Sequence, residues 1–123
     1  MSARAALVLA ALLMAAAVGA GAFGAHALRT RVDAAALGVW NTAVQYHAWH
    51  ALGLAIVGLL TIHVPERAGL ALAGWLFIAR IVLFSGSLYA MALTGLRGLG
   101  AITPIGGAAF LAGWLALAWA ASR

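Results

Sequence analysis

The residues best equipped for chemistry stand close together in the run WNTAVQYHAWH, from Trp40 to His50. Hydrophobic residues make up 67% of the chain, and this run is its densest group of side chains that can form hydrogen bonds. Imidazoles can act as acid, base or metal ligand, and a phenol can donate or accept a hydrogen bond. The polar members of the run are Asn41, Thr42, Gln45, Tyr46, His47 and His50.

These residues lack the partners that catalysis requires. No acid lies near any histidine, and the chain has no paired carboxylates, no phosphate-binding glycine loop and no His-Glu-x-x-His motif. Two or three histidines could bind a metal, but the set is thin without a cysteine or carboxylate, and the chain has no cysteine. We therefore predict a non-enzymatic protein with no catalytic residues, no metal site and no cofactor.

The composition indicates what positions the polar run. Mean hydropathy is +1.10, and only 7% of residues are charged, against about 25% in soluble domains. The bilayer is therefore the solvent of this chain, and buried polar groups must find partners within the protein because lipid offers none. The net charge of +5 comes from scattered arginines, which favours contacts with lipid headgroups over a nucleic-acid interface.

The hydrophobic segments predict an all-α, four-helix transmembrane bundle formed by one integral membrane domain, residues 1–123. Ala5–Ala25 is free of charge and long enough to cross a hydrocarbon core that needs about 20 residues. Asp33 is the expected N-cap of a short interfacial helix near residues 33–40, which runs into the second span or bends there. Pro65 should end the second span, and Thr103-Pro104 should begin the fourth as N-cap and first helical residue. The predicted spans are about 5–27, 42–62, 68–93 and 104–121.

The first span has an alternative interpretation as a cleaved signal peptide. Arg4 would then be its basic region, and residues 20–22 resemble a small-residue cleavage site. The small residues have another explanation, because spacing of four lets membrane helices approach closely. Such Gly/Ala faces could also join a homo-oligomer or a larger membrane complex. The small residues recur at Ala17, Gly21 and Ala25, and again at Ala20 and Gly24.

Four spans would place both termini on the same side of the membrane. We interpret the chain as a multi-pass protein of the cell inner membrane with cytoplasmic termini. Arginine does not determine the orientation, because three residues flank the spans on each side. The two sets are Arg4, Arg67 and Arg123 on the terminal side, and Arg29, Arg31 and Arg97 on the other.

Alternating helices bring the polar groups into one half of the membrane, on the side of the first connection, which we call side B. Each group also has a structural interpretation: serines bond to carbonyls of their own helix, tyrosines form an interfacial belt, and histidines hold helices together. Because these groups outnumber what one compact contact absorbs, we predict a small, partly hydrated pocket that opens to side B. The candidate residues are His26, Gln45, Tyr46, His50, Arg80, Ser85, Ser87, Tyr89 and Thr103.

Arg80 is the costliest residue, since a mid-helix arginine costs about 2.5–3.5 kcal/mol on insertion. The two acids, Asp33 and Glu66, both lie outside the predicted spans. The guanidinium must therefore reach carbonyls, polar side chains or an interface. A functional role and a structural role both fit this position.

Five motifs together resemble the domain-of-unknown-function family 423, small four-helix inner-membrane proteins related to the eukaryotic transmembrane protein 256. The resemblance implies four membrane helices with a retained first helix, and it implies no activity. Arg80 departs from the small or apolar residue usual in that family, which indicates a role particular to this chain. The motifs are GAFGAH at 21–26, the Tyr46/His50 pair, FSGSLY at 84–89, TPIGG at 103–107 and GW at 113–114.

Four functions remain open for such a chain. The first is a non-enzymatic scaffold or accessory membrane subunit, and the second is a binding protein whose polar pocket holds a lipid headgroup, quinone or metal. An enzyme acting on a membrane-embedded substrate fits less well, because a catalytic constellation is missing. A transporter also fits less well, because four short spans leave no room for two inverted repeats unless the protein oligomerises. Paired polar groups would favour the scaffold, and a cavity at the cluster would favour binding.

Overall fold

The computed structural model describes residues 1–123 apart from the side chain of Ala109, and the regular structure in this part of the chain is helical. Four helical segments are long and apolar enough to cross a membrane, which confirms the all-α class with four spans. The α-helices are α1 (Ala3–His26), α2 (Ala34–His63), α3 (Leu70–Arg80), α4 (Gly86–Thr94) and α5 (Ile102–Ala121). Leu28–Thr30 and Arg97–Ala101 are 3₁₀-helical, and a π-helical turn, Ile81–Ser85, joins α3 to α4 into one span.

Side-chain caps begin the first two helices. Ser2 accepts a hydrogen bond from the Ala5 amide at 3.1 Å, and Asp33 accepts one from the Ala36 amide at 2.7 Å. Each cap satisfies an amide that has no partner within the helix. The helix capped by Asp33 continues without a break to His63. Residues 33–40 are thus the first turns of the second span, so the interfacial helix runs into that span instead of bending there.

The predicted cap of the last helix is wrong. The 3₁₀ segment Arg97–Ala101 leads directly into α5, so Thr103 already lies within the helix, and its hydroxyl is buried without a partner. Because Ala101, at the N-cap position, is itself helical, no extended residue precedes the helix to carry a side-chain cap. Pro104 is tolerated because amides in the first turn have no helical partner.

Small residues allow α1 and α2 to pack closely against each other. A Cβ on Gly24 would lie 2.7 Å from the Trp40 ring, and one on Gly58 would lie 2.8 Å from Leu7. Glycine is therefore needed for the two helices to approach this closely. The Trp40 indole N–H also donates to the Ala20 carbonyl of α1 at 2.8 Å. Ala20 and Gly24 of α1 thus serve packing inside the chain.

Phe77 of α3 occupies the centre of the contact with α2 and α5, and it is fully buried. One edge of its ring faces Gly53 of α2, and the other edge faces Gly113 of α5. A Cβ at either glycine would lie 2.9 Å from the nearest ring carbon. The aromatic ring is therefore wedged between two helices that can hold it only because both lack a side chain there.

Candidate functional site

The candidate site is built on one face of α2. Ala43, His47, His50 and Leu54 recur at helical spacing, and all four are buried. His50 lies near the middle of the bilayer, since about 16 residues of α2 precede it at about 1.5 Å each. Two imidazoles are thus held inside the bundle, where each nitrogen needs a partner from the protein.

The environment of His50 determines its tautomer. Its Nδ1 contacts the Tyr46 carbonyl, and its Nε2 lies 3.1 Å from the Trp114 indole nitrogen. A carbonyl can only accept a hydrogen bond, and an indole N–H can only donate one. The ring is therefore neutral with its proton on Nδ1. Both nitrogens are occupied, so His50 cannot bind a metal or transfer a proton without breaking an existing bond.

Phe110 of α5 connects His50 with Arg80. The His50 ring stacks on Phe110 with centroids 3.7 Å apart and planes 26° apart. The Arg80 guanidinium carbon lies 4.7 Å from the centroid of the same ring. Aromatic rings attract both a stacked partner and a cation through their quadrupole. The aromatic face thus partly compensates a charge that no carboxylate balances.

The Arg80 side chain is 2% exposed at the end of α3. Both terminal nitrogens donate to the Ile105 carbonyl of α5, at 3.2 and 3.0 Å. Its Nε is buried and has no partner in the described part of the chain. The two acids, Asp33 and Glu66, lie outside the α-helices. The guanidinium of Arg80 is held instead by the Ile105 carbonyl and the Phe110 ring. It joins α3 to α5 near the middle of the membrane.

His47 belongs to a second polar contact, closer to side B. Its Nδ1 shares a hydrogen bond of 3.0 Å with the Tyr89 hydroxyl of α4. The Tyr89 ring packs on Trp40, with centroids 4.6 Å apart. The other nitrogen, Nε2, is buried without a hydrogen-bond partner among the described residues, and the backbone of Leu13 of α1 lies near the ring. His47 thus lies where α1, α2 and α4 meet.

The two serines bond to carbonyls in different ways. Ser85 is fully buried and donates to the Ala43 carbonyl of α2 at 2.8 Å, so it links two helices. Ser87 donates to the Phe84 carbonyl in its own span, also at 2.8 Å. The π-helical turn that ends at Ser85 adds one residue to the span. Such an insertion turns the following helix by about 100° and so affects which residues of α4 face α2.

The predicted candidates do not form a single network. Tyr46 is half-buried, with its ring against Phe84 and Phe110, and its carbonyl joins it to His50. His26 and Gln45 are exposed on the outer surface. Three groups result: Tyr46, His50 and Arg80 around Phe110; Tyr89 on His47; and Ser85 and Ser87 on backbone carbonyls. Thr103 joins none of them, because its buried hydroxyl has no partner among the described residues.

Sequence reasoning missed His47 and Trp114 as members of the site. A signal for His47 was present, because Trp40, Ala43 and His47 continue the apolar face of α2 at helical spacing. Trp114 stands in the GW motif, but only the approach of α5 to α2 shows that its indole reaches His50. Which helices meet is a property of packing, and no local pattern encodes it.

The candidate polar residues form no metal-binding cluster and do not line the described cavity. Among the described residues, no cluster of three or more His, Asp or Glu side chains could hold a metal ion. A cavity of about 350 Å³ lies at the side-B end, with none of the nine candidate residues in its wall. The polar groups of the site therefore meet protein rather than this void.

Comparison with known proteins identifies membrane relatives. A family model described as "Protein of unknown function (DUF423)" matches residues 20–107. UPF0382 membrane protein YwdK of Bacillus subtilis (strain 168) is 48% identical over 98 residues, which cover 80% of this chain and 80% of the relative. UPF0382 membrane protein SH2409 of Staphylococcus haemolyticus (strain JCSC1435) is 48% identical over 92 residues, covering 75% and 74%. No solved structure matches the chain.

Proposed function

Because this chain belongs to the DUF423 family, whose relatives are named membrane proteins, we propose that it is a non-enzymatic scaffold or accessory subunit of the inner membrane. The observation that carries this proposal is the pairing of polar groups inside the bundle. His50 uses both nitrogens, and Ser85 and Tyr89 each bond across helices. A buried network satisfied by its own chain stabilises one helix arrangement and leaves little for a ligand to bind.

Three buried polar atoms among the described residues lack a partner: His47 Nε2, Arg80 Nε and Thr103 Oγ1. They belong to three different contacts, on α2, α3 and α5. A ligand pocket needs polar groups that converge on one space. None of the three residues lines the described cavity, which supports structural roles over a shared ligand site.

The partner of a scaffold would meet its outer surface, and we place that contact on α1. This helix packs chiefly on α2, so its other faces point outward. Ala11, Ala15 and Gly19 are exposed at spacing of four, and a Cβ on Gly19 would meet nothing within 4 Å. Such a small-residue row lets a helix of another subunit or of a second copy approach closely.

Both termini belong on the cytoplasmic side in this proposal. Arg67, in the turn after α2, donates to the Ala120 carbonyl near the C-terminus at 3.3 Å. The sulfur of Met1 lies 3.2 Å from the Cβ position of Gly74, in the second turn of α3. These contacts support a common end for both termini. The chain has no cysteine, so single cysteines at Ser2, Ala68 and Ser122 can be labelled from either side of the membrane. Labelling of Ser2 and Ser122 from opposite sides would refute the arrangement.

Native mass spectrometry of gently extracted protein tests the scaffold role. We expect the chain in a complex with protein subunits or further copies, and Gly19→Leu should release it. Gly38→Leu is the matched control, because Gly38 is also exposed with no neighbour within 4 Å of its Cβ position, but lies on α2. A stoichiometric small molecule lost when Tyr46 and His50 are both replaced would overturn the scaffold in favour of a binding protein.

A further inference from the structure

A partly open cavity of about 350 Å³ lies at the side-B end of the bundle. Its wall combines the start of α2, the end of α4 and the connection to α5. The size is within the range of small-molecule sites, about 300–1,000 Å³. The residues used below are Asp33, Ala35, Ala36, Val39, Met91, Ala92 and Arg97.

The depth of the cavity is that of the lipid headgroups. Asp33 directly precedes α2, and Arg97 lies three residues beyond the last residue of α4. The 30 residues of α2 span about 45 Å at about 1.5 Å each, which exceeds a hydrocarbon core of about 30 Å. The first turns of α2 therefore project from the hydrocarbon into the interface.

The cavity carries one charge of each sign. One oxygen of Asp33 accepts the hydrogen bond from the Ala36 amide, which leaves the second oxygen available. Arg97, on the other wall, makes no ion pair with this carboxylate in the part of the chain that the structure describes. Between the charges the wall is apolar, formed by Val39, Met91 and Ala92. Two opposite charges that flank one space without meeting complement a ligand that has both charges.

We propose that this cavity binds a membrane lipid whose headgroup combines a phosphate diester with a primary ammonium, as in phosphatidylethanolamine. Arg97 donates charge-assisted hydrogen bonds to the phosphate, and the Asp33 carboxylate accepts hydrogen bonds from the ammonium. The apolar wall contacts the adjoining hydrocarbon of the lipid. A choline headgroup has no N–H to donate to Asp33. An anionic headgroup without an amine is repelled by the negative charge of the Asp33 carboxylate.

Native mass spectrometry with three lipids of identical acyl chains tests the proposal. The full-length protein is exchanged into micelles that contain phosphatidylethanolamine, phosphatidylcholine or phosphatidylglycerol. We expect the ethanolamine lipid to be retained about tenfold more than the other two, which corresponds to one charge-assisted contact. Equal retention of all three lipids by the wild-type protein would overturn the proposal.

Variants identify the charges that select the lipid. Asp33→Asn preserves the helix cap, because asparagine caps as well as aspartate, but removes the charge. We expect Asp33→Asn and Arg97→Gln each to abolish the preference, and Ala35→Leu, which fills the cavity, to abolish binding. Arg31→Gln is the matched control, since Arg31 is an exposed arginine at the same end but outside the cavity wall.

Two further outcomes would contradict the proposal. Retention of phosphatidylglycerol above phosphatidylethanolamine, unchanged in Asp33→Asn, would reduce the cavity to a simple anion site at Arg97. Binding of soluble phosphoethanolamine as tightly as the lipid would show that the bilayer is not the source of the ligand. This site shares no residue with the outer face of α1, so Gly19→Leu should leave lipid retention unchanged. For the same reason, failure of the lipid proposal would not affect the scaffold proposal.

Discussion

Substituting Gly53 by alanine tests how tightly Phe77 is wedged between α2 and α5. The added Cβ would lie 2.9 Å from Cε2 of the ring, whereas ordinary van der Waals contact begins at 3.4 Å. The ring would have to retreat by about half an ångström, towards Gly113, whose own Cβ position lies 2.9 Å from Cε1 on the opposite edge. The substitution therefore forces either the ring or a helix to move.

The expected cost follows from two opposing effects. Overpacking of a close-packed core destabilises by about 1–3 kcal/mol. Alanine in place of glycine within a helix contributes up to about 1 kcal/mol in the other direction. We expect Gly53→Ala to lower the free energy of unfolding by about 1–2 kcal/mol, and Gly113→Ala to do the same.

Equilibrium unfolding in detergent micelles measures these changes. Gly38→Ala is the control for helix propensity, because its Cβ meets nothing within 4 Å and it lies outside the proposed contact on α1, and it should be neutral or slightly stabilising. Phe77→Leu removes the ring edges, so Gly53→Ala should cost less in that background by about 1 kcal/mol. The reasoning is wrong if Gly53→Ala is as stable as Gly38→Ala, or if its cost is unchanged in the Phe77→Leu background.

Four other substitutions test the polar contacts in the same unfolding assay. His50→Leu should destabilise by about 1–3 kcal/mol, because it leaves the Trp114 indole without an acceptor. The double variant His50→Leu/Trp114→Phe should lose less stability than the sum of the two single variants, and full additivity would show that the two residues are not coupled. Ser85→Ala should cost about 0.5–1.5 kcal/mol through the lost bond to α2, and unchanged stability would contradict that bond. Arg80→Met should stay within about 1 kcal/mol of the wild type, since the insertion cost of a mid-membrane arginine offsets its hydrogen bonds; loss of folding would mean that Arg80 is indispensable.

Local chemistry made the helices predictable, because caps and breakers act over a few residues. Asp33 caps α2 as expected from its sequence position, and Pro65 follows the end of that helix. The expectation failed at Thr103, where a 3₁₀ segment continues into α5 and removes the need for a side-chain cap. The π-helical turn before Gly86 has no sequence signature, since it is defined by backbone hydrogen bonds alone.

The site was harder to predict, because spacing along a helix gives relative angles but not which neighbour each face meets. Tyr46 and His50 form one of the motifs and do contact each other, yet His50 also reaches Trp114, 64 residues away. His47 is absent from the predicted candidates, although it turns towards α4 and Tyr89. Such contacts depend on the rotation of each helix about its axis, which the close approaches at Gly24, Gly53 and Gly113 constrain.

The packing of α1 chiefly against α2 has a consequence for how the protein assembles. A helix whose packing rests on one neighbour can join the others late, once that neighbour is in the membrane. Its close glycine contacts with Trp40 and Leu7 and the bond from Trp40 to Ala20 are all non-covalent. The chain should therefore be divisible in the connection before Asp33. Two separately translated polypeptides, residues 1–31 and 32–123, should recombine in the same membrane into the intact bundle.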